Sequence, residues 1–187
     1  MLDRIRKKLG FTMAELLIVV AIIAVLVAIA IPVFNIQLEK AREAYDVYTM
    51  RQAASLVVKY YYEGVKDKDS AAAAGLEWNA STDDRTNAFG VYNPQTGQFE
   101  KSSSDKWTGT PYGKGTKKDA GRTYTYNGNR EIYAPKEDYT NAFVMVALYP
   151  KGNNKHIDVY WKNKSKQYIG GQSGPDDPKY SIRINID

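Results

Sequence analysis

The hydrophobic pattern of this chain begins with one long apolar run. Residues 16–34 carry no charged side chain and are interrupted only by Pro32. As a helix the run would extend about 28 Å at roughly 1.5 Å per residue, close to the hydrocarbon thickness of a bilayer. A cleaved secretory signal has a shorter apolar region of about 7–15 residues. The pattern therefore predicts a helix that spans a membrane.

Beyond residue 34 the pattern becomes striped with helical spacing. Two apolar stripes recur every three or four positions: 34, 38, 41, 45 and 48, then 47, 50, 54, 57 and 61. This periodicity is typical of a helix with one covered face, and we interpret Glu39, Glu43 and the nearby basic residues as its solvated face. Gly64 supplies a stop. We predict one helix over 11–63, bent or loosened at Pro32.

From residue 64 the chain changes to short alternating runs separated by turn residues. These runs predict strands at 88–92, 122–126, 129–133, 141–149, 157–162 and 179–186. Asn127-Gly128 predicts a two-residue type I′ turn between the second and third runs. The predicted fold class is α+β. A long N-terminal α-helix, kinked at Pro32, packs by its C-terminal half against an antiparallel sheet of about four or five strands.

The formal net charge of +5 is concentrated at the N-terminus. The first ten residues hold four basic side chains and one acidic, and the rest of the chain is close to neutral. The basic flank predicts a cytoplasmic N-terminus, with the remainder of the chain across the membrane. Because the basic excess belongs to this flank, no nucleic acid is expected as a direct ligand of the monomer.

Composition also limits the chemistry. The chain has no cysteine and a single histidine, His156. Disulfide and thiolate chemistry are therefore excluded, and a histidine-based metal site or catalytic triad is not predicted. The sequence shows no nucleophile motif, phosphate-binding loop or suggestive carboxylate pair. We predict no enzyme activity, no cofactor and no metal site, and interpret His156 as a solvated turn residue.

One carboxylate, Glu15, stands at the start of the apolar run, where a charge is costly. It follows a short basic leader that ends in Gly10, and the junction reads Gly10-Phe11-Thr12-Met13-Ala14-Glu15. This combination, with the apolar run and Pro32, resembles the N-terminus of the type IV pilin family, which includes the pseudopilins. The resemblance covers about the first 50 residues.

The resemblance implies a function for each part of the junction. A prepilin peptidase would cut between Gly10 and Phe11, removing the leader (1–10), and would N-methylate Phe11. The new ammonium of Phe11 would pair with Glu15 of an adjacent subunit in a filament. Two simpler alternatives stay open: Glu15 lies among lipid headgroups, or it pairs with the amine of its own chain.

The resemblance also implies a division of the chain and a set of partners. Residues 11–34 would be membrane anchor and then filament core, 35–63 the amphipathic half of the helix, and 64–187 the head. The chain would polymerise with itself, helped by an assembly ATPase and inner-membrane platform proteins. It would move from the cytoplasmic membrane to an extracellular pilus.

Two positions depart from the family pattern. Met13 stands where leucine is usual, a volume-conserving change. Ala24 stands where many pilins have a glycine, which leaves unwinding of the helix between Ala24 and Pro32 open. Farther on, Asp176-Asp177 is compatible with calcium but has few oxygen ligands nearby, so we interpret it as a turn.

The predicted function is a structural subunit, a major pilin of a type IV pilus that supports adhesion, surface motility or DNA uptake. Two alternatives remain. The chain is a pseudopilin of a type II secretion or competence machine, which shares Gly10, Phe11, Glu15 and Pro32. Otherwise it is a membrane-tethered extracytoplasmic binding domain that never polymerises.

Overall fold

A long helix, α1 (Met13–Tyr62), begins close to the N-terminus of the protein. The structure is a computed structural model that describes residues 10–101, 109–174 and 177–186, and at Asp83 it describes the backbone alone. Helix α1 ends where the sequence predicts. Gly64 has a φ of 103°, and the N–H groups of Gly64 and Val65 donate to the carbonyls of Tyr61 and Tyr60. These bonds satisfy carbonyls that the last turn leaves without partners.

Helix α1 continues through Pro32 without a break in its helical assignment. The kink at Pro32 therefore stays a prediction. All of residues 16–34 are exposed. Within the described ranges, α1 is the one helix long and apolar enough to cross a membrane. An unburied apolar surface of this size needs lipid or other protein to cover it.

The chain divides into two units, one up to Leu38 and one from Glu39 onward. The second unit contains the last part of α1, the short helix α2 (Lys68–Ala73) and a 3₁₀ turn at Asp83–Arg85. Its strands, over the described residues, are β1 (Glu77–Asn79), β2 (Asn87–Asn93), β3 (Gln98–Glu100), β4 (Thr125–Tyr126), β5 (Arg130–Glu131), β6 (Phe143–Tyr149), β7 (His156–Lys162), β8 (Gln172–Gly174), β9 (Asp177–Pro178) and β10 (Ser181–Asn185).

The main sheet of this unit is antiparallel throughout. Its strands follow the order β1-β2-β6-β7-β10, and β3 also pairs with β2. The α+β class and the pair β6–β7 are confirmed, as are the strands at β2 and β10. The sheet also contains the three-residue strands β1 and β3, which are too short to show alternation in the sequence, whereas the predicted hairpin β4–β5 forms a separate two-stranded sheet.

Both faces of the sheet are covered. On β6, Val144, Val146 and Leu148 share a core with the end of α1, where Met50 and Val57 are fully buried. The alternate residues of β6 lie in a second cluster on the opposite face. Burial on both faces explains why 143–148 is continuously apolar, since each buried aliphatic side chain contributes about 1.5–3 kcal/mol.

The predicted hairpin at Asn127-Gly128 exists, but its strands are shorter and its loop is longer than expected. Tyr126 pairs with Arg130, so the loop holds three residues, and each strand holds two. Asn127 and Gly128 both have positive φ, as the prediction required. The two-residue loop was wrong because Asn129 joins the turn, where its N–H donates to the carbonyl of Tyr126 at 3.2 Å.

The faces of α1 within the second unit differ from the prediction. The stripe that starts at Val47 and ends at Tyr61 is buried, as expected. The prediction that the other stripe is also covered was wrong, because Tyr45 and Tyr48 are 38% and 59% exposed. The buried face instead includes three acidic residues: Glu39, Glu43 and Asp46.

Candidate functional site

Thr12 and Glu15 form a reciprocal set of hydrogen bonds at the start of α1. The Glu15 N–H donates to Thr12 Oγ1 at 3.2 Å. The Glu15 carboxylate accepts from the Thr12 N–H at 2.8 Å and from its hydroxyl at 2.9 Å. This is a capping box, which satisfies donors that the first helical turn leaves free. The Thr-x-x-Glu spacing before an apolar run was the sequence signal for it.

The capping box places the Gly10–Phe11 bond outside the helix. Residues 10–12 are not helical, and Phe11 is 92% exposed. A Cβ added to Gly10 would meet no atom within 4 Å. Packing within the described chain therefore does not require a glycine at this position. The structure brings Phe11 and Glu15 to one end of α1, whereas Pro32 lies within the helix.

The sequence predictions for the leader and for Asp176-Asp177 concern residues at or beyond the limits of the described ranges. Of the leader, only Gly10 lies within the described residues. Asp176 also lies outside them, and the neighbouring Asp177 is engaged by two guanidinium groups. Its carboxylate accepts a hydrogen bond from Arg130 at 2.8 Å and forms an ion pair with Arg183 at 3.0 Å.

His156 is the clearest correction at a single position. It is the first residue of β7 and is 7% exposed, so its interpretation as a solvated turn residue was wrong. Its ring stacks on Tyr149 with centroids 4.3 Å apart. Its Nε2 lies 3.7 Å from Asp158 Oδ2, and Asp158 itself is held by Arg183 at 2.6 and 2.7 Å. A cross-strand partner on β6 explains the burial, and sequence spacing alone does not reveal that partner.

A second group of interacting residues lies in the second unit, where α1 holds an irregular segment that we call the docked loop (residues 113–124). Asp46 of α1 lies at the centre of these contacts and is fully buried. The Asp46 carboxylate accepts from the N–H of Lys114 at 2.9 Å and from that of Gly115 at 2.8 Å. It also accepts from the Tyr133 hydroxyl at 3.0 Å.

The other two carboxylates hold later parts of the docked loop. Glu39 accepts from the Thr116 N–H at 2.6 Å and its hydroxyl at 2.9 Å. Glu43 accepts from the Ala120 N–H at 3.1 Å and the Tyr124 hydroxyl at 3.4 Å. The spacing of four and three residues puts all three carboxylates on one helix face. Each buried charge thus finds donors, which burial of a charge requires.

Two glycines allow the docked loop to lie close to Asp46, Tyr133 and Tyr139. A Cβ at Gly115 would overlap the Tyr133 hydroxyl and lie 3.1 Å from Asp46 Oδ2. A Cβ at Gly113 would overlap the carbonyl of Tyr139. The loop also bonds to the segment behind it, since the Tyr139 N–H donates to the Gly115 carbonyl at 3.0 Å. The arrangement orders a segment that has no helix or strand of its own.

Burial raises the pKa of Asp46 to about 6, and the N–H groups of Gly115 and Lys114 with the Tyr133 hydroxyl oppose that rise. Between about pH 4 and pH 6 the folded chain then holds a proton that the unfolded chain has lost. Stability from this group is fully present below pH 4 and falls as the pH rises through 6. At 1.36 kcal/mol per pKa unit, the fall is about 3 kcal/mol.

We expect this fall to be visible as a difference between the native chain and the variant Asp46→Asn. The free energy of unfolding of the native chain should decrease relative to the variant between pH 4 and pH 7, measured by urea unfolding in detergent. Burial also raises the pKa of Glu43, but that group is common to both chains and cancels in the difference. A native chain that gains stability relative to the variant would show that hydrogen bonds outweigh burial.

Comparison with known proteins adds one match. The family model for the prokaryotic N-terminal methylation motif matches residues 5–31, which include the Gly10–Phe11 junction, Glu15 and most of the apolar run. No curated protein and no solved structure matches the chain at a significant level. This motif, with a long apolar helix and an α+β fold, supports a type IV pilin-like protein. The motif is that of a class III prepilin leader, which in general implies processing by a prepilin peptidase and assembly into a filament.

Proposed function

We propose that this chain is a major pilin, a structural subunit that polymerises through its N-terminal helix into a type IV pilus. Residues 1–10 are the leader, 11–34 the membrane anchor and filament core, 35–63 the amphipathic half of the helix, and 64–187 the head. The N-terminus is cytoplasmic before assembly. Adhesion, surface motility or DNA uptake are then properties of the fibre.

The observation that carries the proposal is the junction at the start of α1. The Gly10–Phe11 bond lies in exposed, non-helical chain, which is the form of backbone that a peptidase can take into its active site. Cleavage creates an ammonium group on Phe11, next to the residue whose N–H already donates to Glu15. The carboxylate is thus in place where the new positive charge arises.

Filament assembly then gives Glu15 its second role. Within a bundle of apolar helices, the ammonium of Phe11 needs an anion, because an unpaired buried charge costs several kcal/mol. Glu15 of the neighbouring subunit supplies that anion. A buried pair of this kind favours one register of packing more than it adds net stability.

Mass spectrometry of the mature protein tests the processing step. We expect a chain that starts at Phe11 and carries one added methyl group. The same chain from cells without prepilin peptidase, which should begin at Met1, is the control. A mature chain that keeps Met1 in normal cells would contradict the proposal.

Electron microscopy with a label on the head separates the pilin from the pseudopilin. Long labelled surface fibres are expected. Their absence while a secretion system is active, together with correct processing, would favour a pseudopilin. Absence of both processing and fibres would favour a tethered binding domain.

A further inference from the structure

The head contains a cavity that neither the junction nor the docked loop uses. It has a volume of about 540 Å³ and lies where strand ends meet at one end of the sheet. Asn79 and Asn87 face each other across β1 and β2, and Tyr149 and His156 across β6 and β7. All four residues line the cavity. The volume falls within the range of about 300–1,000 Å³ that is typical of ligand sites.

The lining combines carboxamides with two stacked aromatic rings. Asn79, Asn87 and Asn154 each bring an acceptor oxygen and a two-proton donor to the cavity. Tyr149 and His156 are stacked with an interplanar angle of 13°. Each hydroxyl group of a sugar can both donate and accept a hydrogen bond, and the C–H face of the ring can pack on an aromatic ring. Carboxamides beside stacked rings are therefore suited to a saccharide.

The charges of the lining are balanced, which excludes a strongly anionic ligand. Arg183 is already held by both oxygens of Asp158 and lies 3.0 Å from Asp177. The remaining charged residues of the lining are Asp84 and Arg85. Phosphate and sulfate sites instead concentrate arginine or lysine without compensating carboxylates. A neutral ligand fits this balance.

Asn87 adds a separate observation. Its carboxamide oxygen is buried and accepts no hydrogen bond from the described residues. Buried acceptors of this kind are uncommon and call for an explanation. The side chain lines the cavity, and the last torsion of asparagine is broad, so a modest rotation turns the oxygen toward a ligand hydroxyl.

We propose that this cavity binds a neutral saccharide. The stacked pair Tyr149–His156 supports the apolar face of a sugar ring, and the asparagine carboxamides bond its hydroxyl groups. The site belongs to the head alone and does not depend on polymerisation. In a fibre, each subunit would present one copy, so a weak single site would gain avidity from repetition.

The test uses the full chain in a detergent without a sugar headgroup, applied to an array of neutral, sialylated and sulfated oligosaccharides. We expect binding to neutral oligosaccharides. Tyr149→Ala should weaken it by about tenfold or more, equivalent to about 1.4 kcal/mol. Tyr62→Ala removes a tyrosine that is 73% exposed and does not line the cavity, so it should leave binding unchanged.

A second variant distinguishes the loss of a binding contact from a misfolded Tyr149→Ala chain. Asn154 is exposed and lies outside the strands, and its backbone carbonyl, which contacts His156 at 2.7 Å, survives in Asn154→Ala. This variant should also lose binding while its thermal unfolding stays native. Absence of binding to any neutral oligosaccharide, a preference for sulfated or sialylated ones, or equal binding by native chain and Asn154→Ala would overturn the proposal. Loss of saccharide binding with intact fibres would leave the proposed pilin function standing.

Discussion

Replacing Glu15 by alanine is expected to reduce the yield of assembled filaments by at least about tenfold while the chain is still cut before Phe11. In the filament that we propose, the substitution would leave the ammonium of Phe11 without an anion in an apolar bundle, and removal of one partner of a buried pair costs about 3–5 kcal/mol. Filaments are measured as sheared surface protein, and cleavage by mass spectrometry. Normal filament yield would show that the carboxylate has no role in assembly.

Two further variants separate the charge of Glu15 from its capping bonds. Glu15→Gln keeps an oxygen that can accept from the Thr12 N–H, so the helix start survives without the negative charge. Thr12→Ala removes the hydroxyl that accepts from the Glu15 N–H but keeps the charge. If charge pairing governs assembly, Glu15→Gln should fail like Glu15→Ala, and Thr12→Ala should assemble. The opposite result would assign the role to capping.

Replacing Asp46 by alanine should lower the free energy of unfolding of the head by about 3 kcal/mol or more at pH 5. The N–H groups of Lys114 and Gly115 and the Tyr133 hydroxyl would lose their acceptor, and each stranded buried donor costs about 1–3 kcal/mol. At this pH, which lies between the ordinary pKa of an aspartate and the raised pKa of Asp46, about half of its pH-dependent contribution remains. The loss is large against a typical domain stability of about 5–15 kcal/mol.

The measurement is urea unfolding in detergent, followed by the fluorescence of the buried Trp161, whose ring contacts Tyr139. Asp69→Ala is the matched control, because Asp69 is an exposed aspartate in the first turn of α2. The control should unfold within about 0.5 kcal/mol of the native chain. A similar small change for Asp46→Ala would mean that water replaces the carboxylate at no cost.

Local sequence patterns were sufficient to predict those elements whose own residues show a helical or strand-like spacing of apolar side chains. The apolar run and the stripe from Val47 to Tyr61 predicted α1, and the strand-like runs at 141–149 and 157–162 predicted β6 and β7. The junction at Gly10 and Phe11 was recognisable from residue types and spacing. The Thr12–Glu15 box is equally local, but the sequence alone did not predict it, because the same carboxylate also suits a pair with the ammonium of Phe11.

Patterns failed where burial depends on a distant partner. Glu39 and Glu43 carry charge at positions that a helical wheel assigns to solvent, yet they are 1% and 4% exposed. Their donors come from an irregular segment 77 residues away, which no periodicity reveals. His156 was misplaced for the same reason, since its burial depends on a cross-strand contact with Tyr149. Short strands such as β1 and β3 offer too few residues for a pattern.

The docked loop also bears on the order in which the head folds. Its links to α1 join residues 68 to 81 positions apart, so they require closure of a long segment before they contribute any stability. The hairpin β6–β7 and the helix itself form from nearer contacts. We therefore expect the three carboxylates to stay hydrated until the rest of the head is in place. Interactions that form after the folding barrier act mainly on the rate of unfolding, so the docked loop should slow the unfolding of the folded head.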